Sequence, residues 1–201
     1  MWVLRPTVLA MDRDTFWQLV DEARARAGTG ADDRGPADDP LPSTLSHLLA
    51  ERLTADEVLA FGGVRDELVD EAYRWPLWGA AYLVEGGCGD DAFLDFRDGL
   101  VLAGRASFER ATADPDSLAD HPAVVAMAQG ASAWLGYESL STLVADAWSR
   151  VTGQGRAAYD AACEAASARR DPAPEPAGEA WDFDDDAENR RRLPRLAELF
   201  G

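Results

Sequence analysis

The chain has no lysine. All 19 of its basic residues are arginine, set against 37 aspartates and glutamates, so the net charge is −18. A polyanion of this size repels phosphate backbones, which argues against any general binding to nucleic acid. Cysteine and histidine are scarce. Cys88 and Cys163 form no CxxC pair, and with only His47 and His121 available no zinc constellation can be assembled at standard spacing. Neither a metal site nor a cofactor is expected. Long apolar runs are missing as well. The longest uncharged stretch, Pro122 to Tyr137, contains Gln129, Gly130, Ser132 and Gly136 and falls short of the roughly 20 residues of a membrane-spanning helix. The first ten residues carry no basic segment ahead of an apolar one, and Pro6 interrupts them, so no signal peptide is read. The expectation is a soluble cytoplasmic protein with no membrane partner.

What is present is helical periodicity. The 201 residues are 47% hydrophobic, enough for one core without a disulfide or metal staple. The fold class read from the pattern is mostly α: a single helical domain with a central buried helix, an acidic loop near 28–42 and an extended C-terminal tail. Asp12 caps a first helix that carries Phe16, Leu19, Val20 and Ala23 on one face and stops at Gly28. Leu45, Leu48, Leu49 and Leu53 mark a second. Thr54 followed by Glu57 reads as a capping box for a third, which Gly62-Gly63 should break or bend. Pro76 suits the first turn of a fourth, Leu77 to Glu85, which has no polar face and so should be buried on all sides. Asp90-Asp91 opens a fifth that runs past Phe108 to Asp114-Pro115-Asp116. Weaker helices follow at about 122–135, 137–151 and 155–168, the last two as a hairpin around Gly153 and Gly155. Strand alternation and internal repeats are not visible. The division expected is an N-terminal extension (1–10), a helical domain (11–170) and a Pro-rich acidic tail (171–201) that packs on the body through Trp181 and Phe183, with Leu193, Leu196, Leu199 and Phe200 as a closing turn.

The run from Leu77 to Ala111 is the most specific part of the chain. Leu77, Trp78, Ala80, Ala81, Tyr82, Gly86, Gly87, Cys88, Asp90, Asp91, Phe93, Phe96, Arg97, Gly104 and Arg105 together resemble the hallmark segment of an uncharacterised bacterial family, domain of unknown function 4240. The resemblance reaches back to Phe16-Trp17 and forward through Asp114–Ala119 to Gly178–Trp181 and Leu193–Leu196. It departs at Gly89, where the family usually has Ser, and at Gly99, where it usually has Trp. The resemblance implies a fold grouping; it brings no activity with it.

The same stretch holds the candidate site residues. Arg97 lies within the apolar stripe of Phe93, Phe96, Leu100 and Val101, with Arg105 at its edge and Asp91, Asp95, Asp98 and Glu109 on the opposite, solvated side. A guanidinium in an apolar stripe needs a partner, for which Glu85, Asp90 or a tail carboxylate is available. Arg97 is then either a structural ion pair, the favoured reading, or a clamp for an anionic ligand. Asp90 is either an N-cap, with Asp91 in the first turn, or part of a cation site with Asp91 and Glu85; capping is favoured. Cys88 beside acids reads as a small buried thiol and not as a nucleophile. Trp78 and Tyr82, one turn apart, are core residues or a stacking platform. His121 reads as a loop or capping residue.

Two functional readings follow. The first is a non-catalytic interaction or regulatory module whose acidic surface suits a basic protein partner. The second is a small enzyme or ligand-binding protein with its site at the 85–97 elbow. It would use Asp90 or Asp91 as catalytic groups, and Trp78, Tyr82, Glu85, Arg97 and Arg105 as ligand contacts.

Overall fold

The structure is a computed structural model that describes residues 11–28, 39–138, 140–166 and 173–201. Most of the acidic loop and the 1–10 extension lie outside these residues. Among the described residues there are eleven α-helices, one 3-10 helix and no strand beyond a single bridge between Arg74 and Ala177. No helix among them is long and apolar enough to cross a membrane.

The helices form two groups. The first contains α1 (Arg13–Ala27), α2 (Pro40–Arg52), α3 (Ala55–Glu71), α8 (Leu140–Thr152) and α9 (Arg156–Ala166). Here α2 packs between α1 and α8, and α3 packs on α8. The second contains α4 (Trp75–Glu85), α5 (Asp90–Leu102), α6 (Arg105–Ala113), the 3-10 helix Pro115–Asp120, α7 (Pro122–Ala128), α10 (Asp186–Arg192) and α11 (Pro194–Phe200). The groups meet mainly where α3 packs on α5, and they share one hydrophobic core.

The local signals explain most of the boundaries. The Asp12 carboxylate accepts from the Thr15 amide at 2.7 Å and starts α1; α1 ends at Gly28, whose φ is 78°. The capping box at Thr54 is complete, with the Glu57 amide donating to Thr54 Oγ1 and the Thr54 amide to Glu57 Oε2. Cap substitutions of this kind are worth about 1 kcal/mol. The hairpin of α8 and α9 turns at Gly153 as expected.

Five expectations are corrected. The second helix begins at Pro40, earlier than its leucines suggest, because Asp39 caps it by accepting from the Leu41 amide. Gly62-Gly63 does not break α3, which runs through both: Gly62 packs against α8 and α9, where a Cβ would sit 3.5 Å from Val144 and Tyr159, while Gly63 faces open space. The long fifth helix is two helices, because Gly104 at φ 87° reverses the chain between α5 and α6. The helix read at 122–135 stops at Ala128. The tail is not extended throughout, since Asp185 accepts from the Ala187 and Glu188 amides and starts α10.

Helix α4 buries Leu77, Gly79, Ala80, Ala81 and Val84, but it is not dry on all sides: Trp78, Tyr82 and Leu83 are half-buried. That aromatic side receives the tail. Trp181 lies on Gly79 so closely that a Cβ there would be 2.1 Å from the indole ring. Phe183 packs among Trp75, Trp78, Tyr82 and Trp181. The closing helix α11 is fastened from a distance. The buried carboxylate of Asp116 accepts from the Arg195 amide at 3.1 Å and from the Leu196 amide at 3.0 Å, and Asp120 pairs with the Arg195 side chain.

Candidate functional site

The elbow between α4 and α5 is built from inside. Gly86 ends α4 in the left-handed conformation, at φ 67°. The Trp78 indole N–H then donates to the Cys88 carbonyl at 2.8 Å, which fixes the turn. The Trp78 ring stacks on Phe93 and Trp75, with centroids 4.8 and 5.3 Å away. Its aromatic face is thus covered by protein. Tyr82, one turn on, donates its hydroxyl to Asp184 of the tail at 2.6 Å.

Arg97 points inward and is 8% exposed. Its expected carboxylate partner is not there: among the described residues no carboxylate forms an ion pair with it. Instead Nε donates to the Phe93 carbonyl at 3.2 Å and a terminal nitrogen donates to the Val69 carbonyl at 2.9 Å. The guanidinium lies over the Tyr73 and Phe93 rings, 4.7 and 4.8 Å from their centroids. Burial lowers its proton affinity, and the nearby negative groups oppose that shift.

The buried ion pair belongs to a residue assigned to the solvated side. Asp98 is 2% exposed and receives two bonds from Arg65 of α3, one of them from Nε at 2.8 Å. Nothing in the residue pattern signals it. The partner lies on another helix, and from Phe96 to Ala103 the chain is buried all round, so there is no solvated side for Asp98 to occupy.

The remaining candidates fall elsewhere. Gly89, not Asp90, is the N-cap of α5; Asp90 and Asp91 are exposed first-turn residues. Arg105 stands at the start of α6, paired with Asp14 at 2.6 Å and Glu109 at 2.7 Å, and takes no part in the elbow. The Cys88 thiol is pushed up to about 12 by burial and then by the charges of Glu85 and Asp95, so it stays protonated at neutral pH. His121 caps α7 by accepting from the Ala123 amide.

What the elbow does bring together at its surface is carboxylates. Glu85 is half-buried and accepts the Trp134 indole N–H at 3.0 Å; burial raises its pKa, and Asp95 adds to the shift. Burial also raises the pKa of Asp95, helped by the charges of Glu138 and Asp91. Among the described residues none of these four carboxylates has a cationic partner. Exposed Leu94 lies on the same helix between Asp91 and Asp95. Trp134 and Glu138 were missed in the sequence because they come from the irregular segment 129–138. That segment lies directly on α5: the Tyr137 amide donates to the Asp95 carbonyl at 2.8 Å, and a Cβ at Gly99 would sit 1.8 Å from the Leu135 carbonyl oxygen. Gly99, which stands where the related pattern usually has Trp, is therefore what admits this segment. No group of three or more potential ligands among the described residues could hold a metal ion.

Neither a curated protein nor a solved structure matches this chain. A family does match, described as "Protein of unknown function (DUF4240)", over residues 11–150. The matched stretch contains the elbow, Arg97, the Arg65–Asp98 pair and the segment carrying Trp134 and Glu138, and it ends ahead of the tail. On that match the chain belongs to the DUF4240 family.

Proposed function

We propose that this chain is a non-catalytic helical interaction module that receives a basic segment of a protein partner on the outer face of the elbow. The observation that carries the reading is the carboxylate group of Glu85, Asp91, Asp95 and Glu138, which has no cation beside it among the described residues. Elsewhere arginines are regularly matched with acids, as in Arg13 with Glu71, Arg52 with Glu22 and Arg192 with Glu179. Acids left together repel one another, and an arriving guanidinium relieves that repulsion; Leu94 adds an apolar contact in their midst. The net charge of −18 steers a basic partner toward the surface from a distance. An enzyme at the elbow has less support. Its arginine is bound to carbonyls inside the helix pair, and its thiol is held protonated.

Fluorescence anisotropy with a labelled peptide of alternating arginine and leucine tests this reading. Two variants of equal net charge are compared: Asp91→Asn/Asp95→Asn/Glu138→Gln at the elbow, and Asp56→Asn/Asp70→Asn/Glu198→Gln elsewhere. The expected result is salt-sensitive binding that weakens about tenfold or more in the elbow variant and little in the control. Equal weakening in both would reduce the effect to overall charge and overturn the proposal.

A further inference from the structure

Segment 129–138 lies across α5 like a strap, and charge acts on its two ends in opposite ways. Its middle is seated firmly. Leu135 is fully buried, and its carbonyl lies so close to Gly99 that a Cβ there would collide with it. The Trp134 ring folds back over Gly136, where a Cβ would be 2.7 Å from the indole. Leu135 and Gly136 thus rest on Gly99 as on a fulcrum.

The Trp134 end is held by a bond that charge strengthens. Its indole N–H donates to Glu85 Oε1 at 3.0 Å, and a carboxylate accepts such a bond better ionised than protonated. The Glu138 end is tied by backbone and opposed by charge. The Tyr137 amide donates to the Asp95 carbonyl at 2.8 Å, which puts the next residue, Glu138, beside the Asp95 carboxylate. Asp91 adds a like charge from one turn back on α5, and Glu85 adds another from α4. The Cys88 thiol of the turn stays neutral. Arg97, also on α5, is committed to the Val69 and Phe93 carbonyls, and the Tyr137 side chain lines the cleft towards α2 and α8.

We propose that the strap is a pH-sensitive latch pivoting on Gly99: when Asp95 loses its proton the Glu138 end lifts from α5, while the Trp134 end stays tied to Glu85. Burial and the charges of Glu138 and Asp91 all raise the proton affinity of Asp95. The strap supplies the first of those charges and part of the cover, so the lifted form holds the Asp95 proton less tightly than the closed form. By linkage the closed form is favoured at low pH and gives way as the pH rises from the ordinary value of 3.8 through the raised one. The latch shares Asp95 and Glu138 with the docking face proposed above, but it works in the chain alone. Failure of peptide binding would leave it standing, and failure of the latch would leave peptide binding untouched.

Hydrogen exchange followed by NMR on the full chain, corrected for intrinsic rates, tests it at single protons. The Tyr137 amide reports the Glu138 end, the Trp134 indole N–H reports the other end, and the Phe108 amide on the Gly104 carbonyl reports general loosening. At neutral pH, Asp95→Asn should make opening at Tyr137 about threefold to tenfold rarer than in the wild type, and Glu138→Gln should do the same. The difference should widen as the pH rises from about 4 to about 7. The Trp134 and Phe108 protons should keep their wild-type rates in both variants. Glu85→Gln should act at the other end and speed exchange of the Trp134 indole. An unchanged Tyr137 amide in Asp95→Asn, or a difference that stays constant with pH, overturns the latch. Equal slowing at Phe108 reduces the effect to general stabilisation and overturns it as well, and equal slowing at the Trp134 indole overturns the pivot.

Discussion

Helix α5 has two faces that treat charge in opposite ways. Along its seam with α3, Asp98 and Arg65 are buried together and Arg97 is wrapped by carbonyls and rings, so each charge has been given surroundings that answer it. On the outer face, Asp91 and Asp95 stand beside Glu85 and Glu138 with no cation among the described residues. The seam joins two groups of helices and tolerates no mismatch, because an unanswered charge there would remain in a poor dielectric. The outer face meets water, where like charges can stay together at modest energy. Charge on the seam therefore speaks of folding. Charge left unmatched on the rim is where binding is to be sought.

The comparison can be broken first at the seam. Asp98→Ala takes from the Arg65 guanidinium its buried partner and leaves it only the exposed Asp66, and urea unfolding should show a loss of about 3 kcal/mol. A loss under about 1 kcal/mol would mean that the pair is not shielded from water. Arg97→Leu should lose less, about 2–3 kcal/mol, because it removes the charge entirely and takes one side-chain donor each from the Val69 and Phe93 carbonyls. If Arg97→Leu proves the more damaging of the two, the carbonyl cradle outweighs the ion pair and the ranking inverts.

The outer face should respond weakly and in the opposite direction. Asp95→Asn should raise Tm at neutral pH by about 1 °C by removing repulsion. The pH dependence follows from the direction of the shifts. Glu85 and Asp95 hold protons more tightly in the folded protein than in the unfolded chain. Their contribution is therefore fully present below the ordinary carboxylate values of 4.5 and 3.8 and is lost as the pH rises through the raised folded values. Acids held by arginines or caps, such as Glu188 at about 2 and Glu57, act the other way and lose stability as the pH falls. Melts between pH 4 and 7 should show the Asp95→Asn variant gaining on the wild type in Tm as the pH rises. Parallel curves would sink the idea that these acids strain the folded state.

Most of the helical layout can be read from the sequence, because α1, α3 and α4 carry their own start and stop signals at Asp12, Gly28, Thr54, Pro76 and Gly86. What cannot be read there depends on partners distant along the chain. Asp98 looks solvated by period, yet its environment is set by Arg65, 33 residues away. Gly62-Gly63 looks like a break, yet α3 runs through it with Gly62 packed against Val144 and Tyr159. The elbow stands out in sequence through its glycines and acids. Its completion by Trp134 and Glu138 does not, because segment 129–138 has no period and is placed by the missing side chain at Gly99. Arg97 is recognisable as buried from its neighbours, but its carbonyl partners belong to the backbone and leave no trace in residue type.

The seat of Trp181 on Gly79 has a consequence for the order in which the protein is made. Helix α4 emerges from the ribosome about a hundred residues before the indole that covers it. During that interval Trp75, Trp78 and Tyr82 lack the ring of Phe183, and α11 has not yet met the Asp116 carboxylate that fastens it. A nascent chain paused between these points carries an uncovered aromatic face, the kind of surface that chaperones bind and that sticks to its own copies. Covering that face falls to Trp181 and Phe183, which reach α4 from far along the chain.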